Sequence, residues 1–207
     1  PFRQAELIQM TGALRGVPGR PRVDLGRVIH QITFSAQRFH IAQLARRGRA
    51  LNDGDTMKIR QITSGLQFPE GPIAMDDGSV LLVEIARGTL SRVTPGGRIQ
   101  VLSQLGGGPN GAAIGPDGAV YVCNNGGFEW ATEIDGCVRP IAQAHDYAGG
   151  RVERVNLSTG RFERLFDTVD GLGLRGPNDI VFDAHGGFYF TDLGKARAHD
   201  MDHGGLY

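Results

Sequence analysis

The chain has no apolar run of eighteen residues among its 207, which excludes a membrane-spanning helix. It has only two cysteines, Cys123 and Cys137, too few for a disulfide scaffold, and no histidines stand near them at zinc-module spacing. Aromatic residues make up 7%, with a single tryptophan, and net charge is zero, so the basic excess of a nucleic-acid binder is missing from the whole-chain sum. No Gly-x-Ser-x-Gly occurs, which weakens a serine nucleophile, and Gly106-Gly107-Gly108 is not followed by the Lys-Ser/Thr of a phosphate loop.

What is present is distributed unevenly. Residues 1–56 carry nine arginines and four acids, about +5, whereas residues 57–207 carry thirteen basic groups and eighteen acids, about −5. Of 32 glycines, 26 lie after residue 56. The first segment, broken by Gly16-Val17-Pro18-Gly19 and with one ragged helical stripe over 28–47, reads as a disordered or non-native leader ahead of Met57. A targeting peptide or a basic tail for an acidic partner are the competing readings.

From Met57 onward the chain repeats itself. Three sixteen-residue windows align without gaps: Pro69 to Glu84, Pro109 to Asn124 and Pro177 to Asp192. Each runs proline, polar residue, short apolar strand, a turn closed by Gly78, Gly118 or Gly186, then a second apolar strand, which is the pattern of a hairpin. Two further short strands follow the first window at 89–93 and 98–102, and two follow the second at 151–155 and 161–165. Four antiparallel strands recurring at about forty residues are the mark of a β-propeller blade. The expected fold is therefore an all-β propeller, with blade 1 about 60–105, blade 2 about 106–170 and blade 3 from about 171. The second unit holds an insertion, roughly Gly126–Gly149, containing Trp130 as either a lid over the channel or an anchor for its own loop. The third unit stops early, so the chain is expected to be part of a longer protein.

In a propeller, equivalent positions of successive blades converge on the axis. The residues after the three prolines are Glu70, Asn110 and Asn178. One carboxylate and two amides aimed at one point are hard oxygen donors of the kind that hold Ca²⁺, Mg²⁺ or Mn²⁺. Taken singly, each could instead cap local backbone. His199 and His203 stand four apart but without a helical pattern, and read as a solvated loop. Cys123 reads as a buried thiol.

Phe68-Pro-Glu-Gly-Pro72, Gly108-Pro-Asn-Gly111, Gly176-Pro-Asn-Asp-Ile-Val-Phe-Asp183 and Gly187-Phe-Tyr-Phe-Thr-Asp192 resemble the senescence marker protein/regucalcin/gluconolactonase family over about residues 60–207. The resemblance implies a six-bladed propeller that hydrolyses sugar or similar lactones with one divalent cation in its channel, Ca²⁺ first and Zn²⁺, Mg²⁺ or Mn²⁺ as alternatives. It implies Glu70 and Asn178 as metal ligands and Asp179 as the catalytic acid/base. Arg175 is the expected substrate-binding arginine, at a spacing that differs from the family's by one, and Asn110 is assigned to substrate as well. The expected partner is a small lactone in the cytoplasm, with neither nucleic acid nor membrane. A non-catalytic binding propeller is the alternative, and a strictosidine-synthase-like propeller a third reading.

Overall fold

The structure is a computed structural model that describes residues 60–133 and 136–207. The leader reading for residues 1–56 falls outside the described residues. Fifteen strands and no helix occur among those described, so none is long and apolar enough to cross a membrane.

The first sheet contains β1 (Pro69–Ala74), β2 (Val80–Glu84), β3 (Thr89–Val93) and β4 (Ile99–Gln104) in that spatial order. The second is built from β5 (Pro109–Ile114), β6 (Val120–Asn124), β9 (Arg151–Val155) and β10 (Phe162–Phe166), again in chain order from one edge to the other. Between β6 and β9 the chain leaves the sheet to form a separate hairpin, β7 (Phe128–Thr132) with β8 (Val138–Gln143). A small hairpin, β11 (Thr168–Val169) with β12 (Leu172–Gly173), leads into the third sheet. That sheet is β13 (Pro177–Phe182), β14 (Phe188–Asp192) and β15 (Gly205–Leu206). All ladders are antiparallel, and the all-β fold has two complete four-stranded blades and a third with three strands.

The β1–β2 and β5–β6 turns are local constructions. Asp77 Oδ1 accepts the Ser79 N–H and Asp117 Oδ1 the Ala119 N–H, while Gly78 and Gly118 take φ of +81° and +76°. The blades then stack through apolar faces. Leu81, Val83 and Leu90 of the first meet Val120, Val122 and Val155 of the second. Cys123 and Val152 of the second meet Phe190 of the third together with Leu174. Tyr121 closes the second contact by meeting Phe182 edge-on, with centroids 4.9 Å apart.

Strand alternation has a positional consequence. The starts of β1, β5 and β13 lie at the same edge of the blades as the β2–β3, β6–β9 and β14–β15 connections. The hairpin β7–β8 and the 193–204 loop are therefore at the edge where Glu70, Asn110 and Asn178 sit.

Candidate functional site

Each of the three polar residues follows a proline that opens an inner strand, and each stands at an irregularity in its ladder. Register slips between Glu70 and Ile73, between Pro109 and Gly111, and between Pro177 and Ile180. A bulge re-aims a side chain and releases it from simple alternation. Proline suits this place because it lacks the N–H a continuous ladder would use.

A second device fixes the approach to each proline. The proline pairs across the ladder with the last residue of the second strand: Pro69 with Glu84, Pro109 with Asn124, Pro177 with Asp192. These three partners are buried, and their oxygens accept backbone N–H groups from the segment just before the proline. Glu84 Oε2 accepts from Gln67 N at 2.8 Å, and Asn124 Oδ1 from Gly108 N at 2.9 Å. Asp192 accepts from both Arg175 N, at 2.7 Å, and Gly176 N, at 2.6 Å. Buried acceptors of this kind hold the entering chain in one place. The polar set is thus positioned by the far end of each hairpin.

The inner strands approach backbone to backbone. Gly71, at φ +55°, leaves a Cβ position only 2.7 Å from Ala112 N. At Gly111 a Cβ would collide with the Asn178 carbonyl oxygen and lie 2.7 Å from Asp179 Cα. With glycine there, the Asn110 Nδ2 amide donates to Asn178 Oδ1 at 2.7 Å, and Asn178 Nδ2 donates to Asp179 Oδ2 at 3.1 Å. Asp179 N in turn donates to Thr191 Oγ1 at 3.2 Å. Glu70 is half-buried, and burial first, then the negative charge of Asp179, raises its carboxyl above the usual carboxylate range, against a lowering by the Gly71 N–H.

Glu70, Asn110, Asn178 and Asp179 therefore form one group drawn from three blades. Among the described residues no cluster of three or more His, Cys, Asp and Glu side chains gathers as a metal site. Here half the oxygen donors are amides. Two carboxylates and two amide oxygens are a donor set that suits a hard divalent cation, and positive charge beside Glu70 and Asp179 would relieve their repulsion.

The family model for the SMP-30/Gluconolactonase/LRE-like region matches residues 68–207, well over half of the chain. The chain belongs to that family. A gluconolactonase from Zymomonas mobilis is 24% identical over 170 residues, covering 72% of this chain and 42% of that protein. Among solved structures, a gluconolactonase from Xanthomonas campestris aligns with a TM-score of 0.49 and 16% identity, over 69% of this chain and 43% of the other. A chain of a nidogen/laminin complex aligns at a TM-score of 0.50 and 21% identity, over 76% and 51%. At that identity the alignment with the nidogen/laminin chain shows a likeness of fold alone. This SMP-30/gluconolactonase chain spans less than half the length of both gluconolactonases.

Arg175 has partners of its own. It is exposed, its N–H is taken by Asp192, and its carbonyl accepts the Tyr147 hydroxyl at 2.7 Å. It lines a cleft of about 460 Å³ with Tyr147, Asp167 and Thr168, between the insertion and the β11–β12 hairpin. Cys123 is fully buried, its Sγ 3.9 Å from the Asp179 carbonyl oxygen, and burial pushes its thiol far above the ordinary range. His199 and His203 lie in the 193–204 loop, which Arg197 organises through Asp200 and Asp202.

Two features of this family member escaped the sequence reading. The first is the set Glu84, Asn124 and Asp192, whose signal was a polar residue closing each aligned window. The second is Lys195, 3% exposed, whose ammonium donates to Gly127 O at 3.0 Å and lies 4.0 Å from the Phe128 ring centroid and 5.2 Å from that of Tyr147. Burial lowers its pKa to about 8, with Asp192 opposing. No local pattern marks it.

Proposed function

We propose that the protein carrying this chain hydrolyses a lactone, with one divalent cation, Ca²⁺ first and Mg²⁺, Mn²⁺ or Zn²⁺ as alternatives, held by Glu70 and Asn178. The observation that carries this reading is the hydrogen-bonded chain Asn110–Asn178–Asp179 with the Glu70 carboxyl within its electrostatic reach. Family membership and the gluconolactonase relatives support the reaction class.

A bound cation supplies polarisation of the ring carbonyl and a lowered pKa for a neighbouring water. The chain's own groups supply the rest. The Asp179 carboxylate is exposed on one side and held on the other by Asn178 Nδ2, so it is oriented to accept a proton as water adds to the acyl carbon. The ring C–O bond then breaks, the proton held by Asp179 passes to the departing alkoxide oxygen, and the carboxylic acid so formed releases its own proton to water as the carboxylate product leaves. Asn110 turns its amide toward the same point and offers hydrogen bonds that orient the ester group. Arg175, from the neighbouring cleft, offers a cation to a polar substituent or to the newly formed carboxylate.

The test uses the full-length protein with Glu70→Gln and Asp179→Asn. Glu70→Gln is expected to lose the bound cation in metal analysis and to lose lactonase activity with it. Asp179→Asn is expected to keep the cation and lower kcat by about 10²–10⁴-fold. Full activity in Glu70→Gln would reject the assignment.

A further inference from the structure

The hairpin β7–β8 does not hang free over the site. At its base, Gly126 N donates to Asn124 Oδ1 at 3.1 Å and Gly127 N to Asn125 Oδ1 at 2.8 Å. From the 193–204 loop, Lys195 donates to the Gly127 carbonyl and lies against Phe128 and Tyr147. Where the insertion returns, the Tyr147 hydroxyl is bound to the Arg175 carbonyl. The contacts of Lys195 and Arg175 tie the insertion to the third blade.

Its other contact is with the first blade. The Trp130 ring lies 5.0 Å from the Phe68 ring at 55°, and Phe128 meets Trp130 edge-on at 5.9 Å. Phe68 stands two residues before Glu70 and holds φ at +56°, a costly backbone for an aromatic residue, with its carbonyl accepting Ile85 N at 3.0 Å. Both Phe68 and Trp130 are half-buried residues.

We propose that Trp130 and Phe68 form a fixed apolar wall beside the Glu70–Asn178 group, and that the preferred substrate is a lactone bearing an alkyl or aryl substituent. This rests on the lactonase reading above. The ester ring is served by the polar group, and a substituent directed at the two rings gains by leaving water. A polyol there would give up hydrogen bonds to water without replacing them.

In the full-length protein the emission lost on Trp130→Phe is the contribution of this position, obtained by difference. Titration with δ-decanolactone is expected to shift the Trp130 emission at lower concentration than glucono-δ-lactone. Trp130→Ala is expected to raise KM for δ-decanolactone about tenfold and to change glucono-δ-lactone kinetics less than twofold. A Trp130-dependent shift without hydrolysis of either lactone would reject the lactonase reading and leave the wall standing. Hydrolysis without that shift overturns the wall. So does an equal loss on both substrates in Trp130→Ala and Trp130→Phe with a matching fall in Tm, which assigns the ring to holding the hairpin alone.

Discussion

At the scale of single residues, buried polar side chains set what the neighbouring backbone can do. Lys195 is sealed under two rings, and its ammonium is less stable there than in water, which is why its pKa falls from the usual 10.5 to about 8. Below pH 8 both folded and unfolded chains carry the charge, and the folded state bears the cost of burying it. Between pH 8 and 10.5 the folded chain releases the proton while the unfolded chain keeps it, so stability rises with pH across that window. The groups facing the ammonium are Asp192, Gly127 O, Asn125 Oδ1, Phe128 and Tyr147. Denaturation midpoints at pH 7 and 9.5 should show a gain in the wild type that Lys195→Met lacks. Asp192 is buried as well, and its carboxylate accepts three backbone N–H groups, from Arg175, Gly176 and Gly194. Asp192→Ala leaves these donors without an acceptor and is expected to cost about 3 kcal/mol in chemical denaturation. Asp192→Asn, retaining one acceptor oxygen, should fall between. Activity should drop with both, because Pro177 and Asn178 follow the segment that Asp192 holds.

At the scale of strands and hairpins, the inner strands depend on positions where no side chain fits. Gly111 lies against Asn178 and Asp179, so Gly111→Ala forces β5 away from β13 and separates Asn110 from Asn178. Overpacking of this kind costs about 1–3 kcal/mol, and the loss of activity should exceed what the fall in Tm explains. The blades themselves were legible in the sequence because their signals are local. Asp77-Gly78 and Asp117-Gly118 close tight turns, the flanking runs alternate, and three windows repeat that grammar in register. The same register gives Glu70, Asn110 and Asn178 equivalent positions in the three windows, and the structure joins Asn110 to Asn178 by a hydrogen bond. Lys195 was not legible, because a lysine between Gly194 and Ala196 reads as solvated and its burial comes from the Phe128 and Tyr147 rings of another blade's insertion. The rings that join Trp130 to Phe68 lie 62 positions apart, too far for any periodicity to couple them.

At the scale of the whole molecule, the repeat shows which surface requires a neighbour. Leu81, Tyr121 and Tyr189 occupy one position in the three aligned windows. Leu81 is completely buried against the second blade, and Tyr121 meets Phe182 and Phe188 of the third. Tyr189 is 53% exposed, and Val181 and Leu206 beside it are 61% and 71% exposed around a groove of about 130 Å³. An apolar face that is covered in two repeats and open in the third is a site of association. A segment consisting of residues 60–207 should therefore self-associate as its concentration rises, read by light scattering on a sizing column. Val181→Lys with Tyr189→Lys should shift it toward monomer without lowering its Tm, since neither side chain supports the two cores between blades. In the full-length protein the same pair of substitutions should instead lower Tm if another blade covers that face. A monomeric 60–207 segment at every concentration would show that the face is stable in water as it stands.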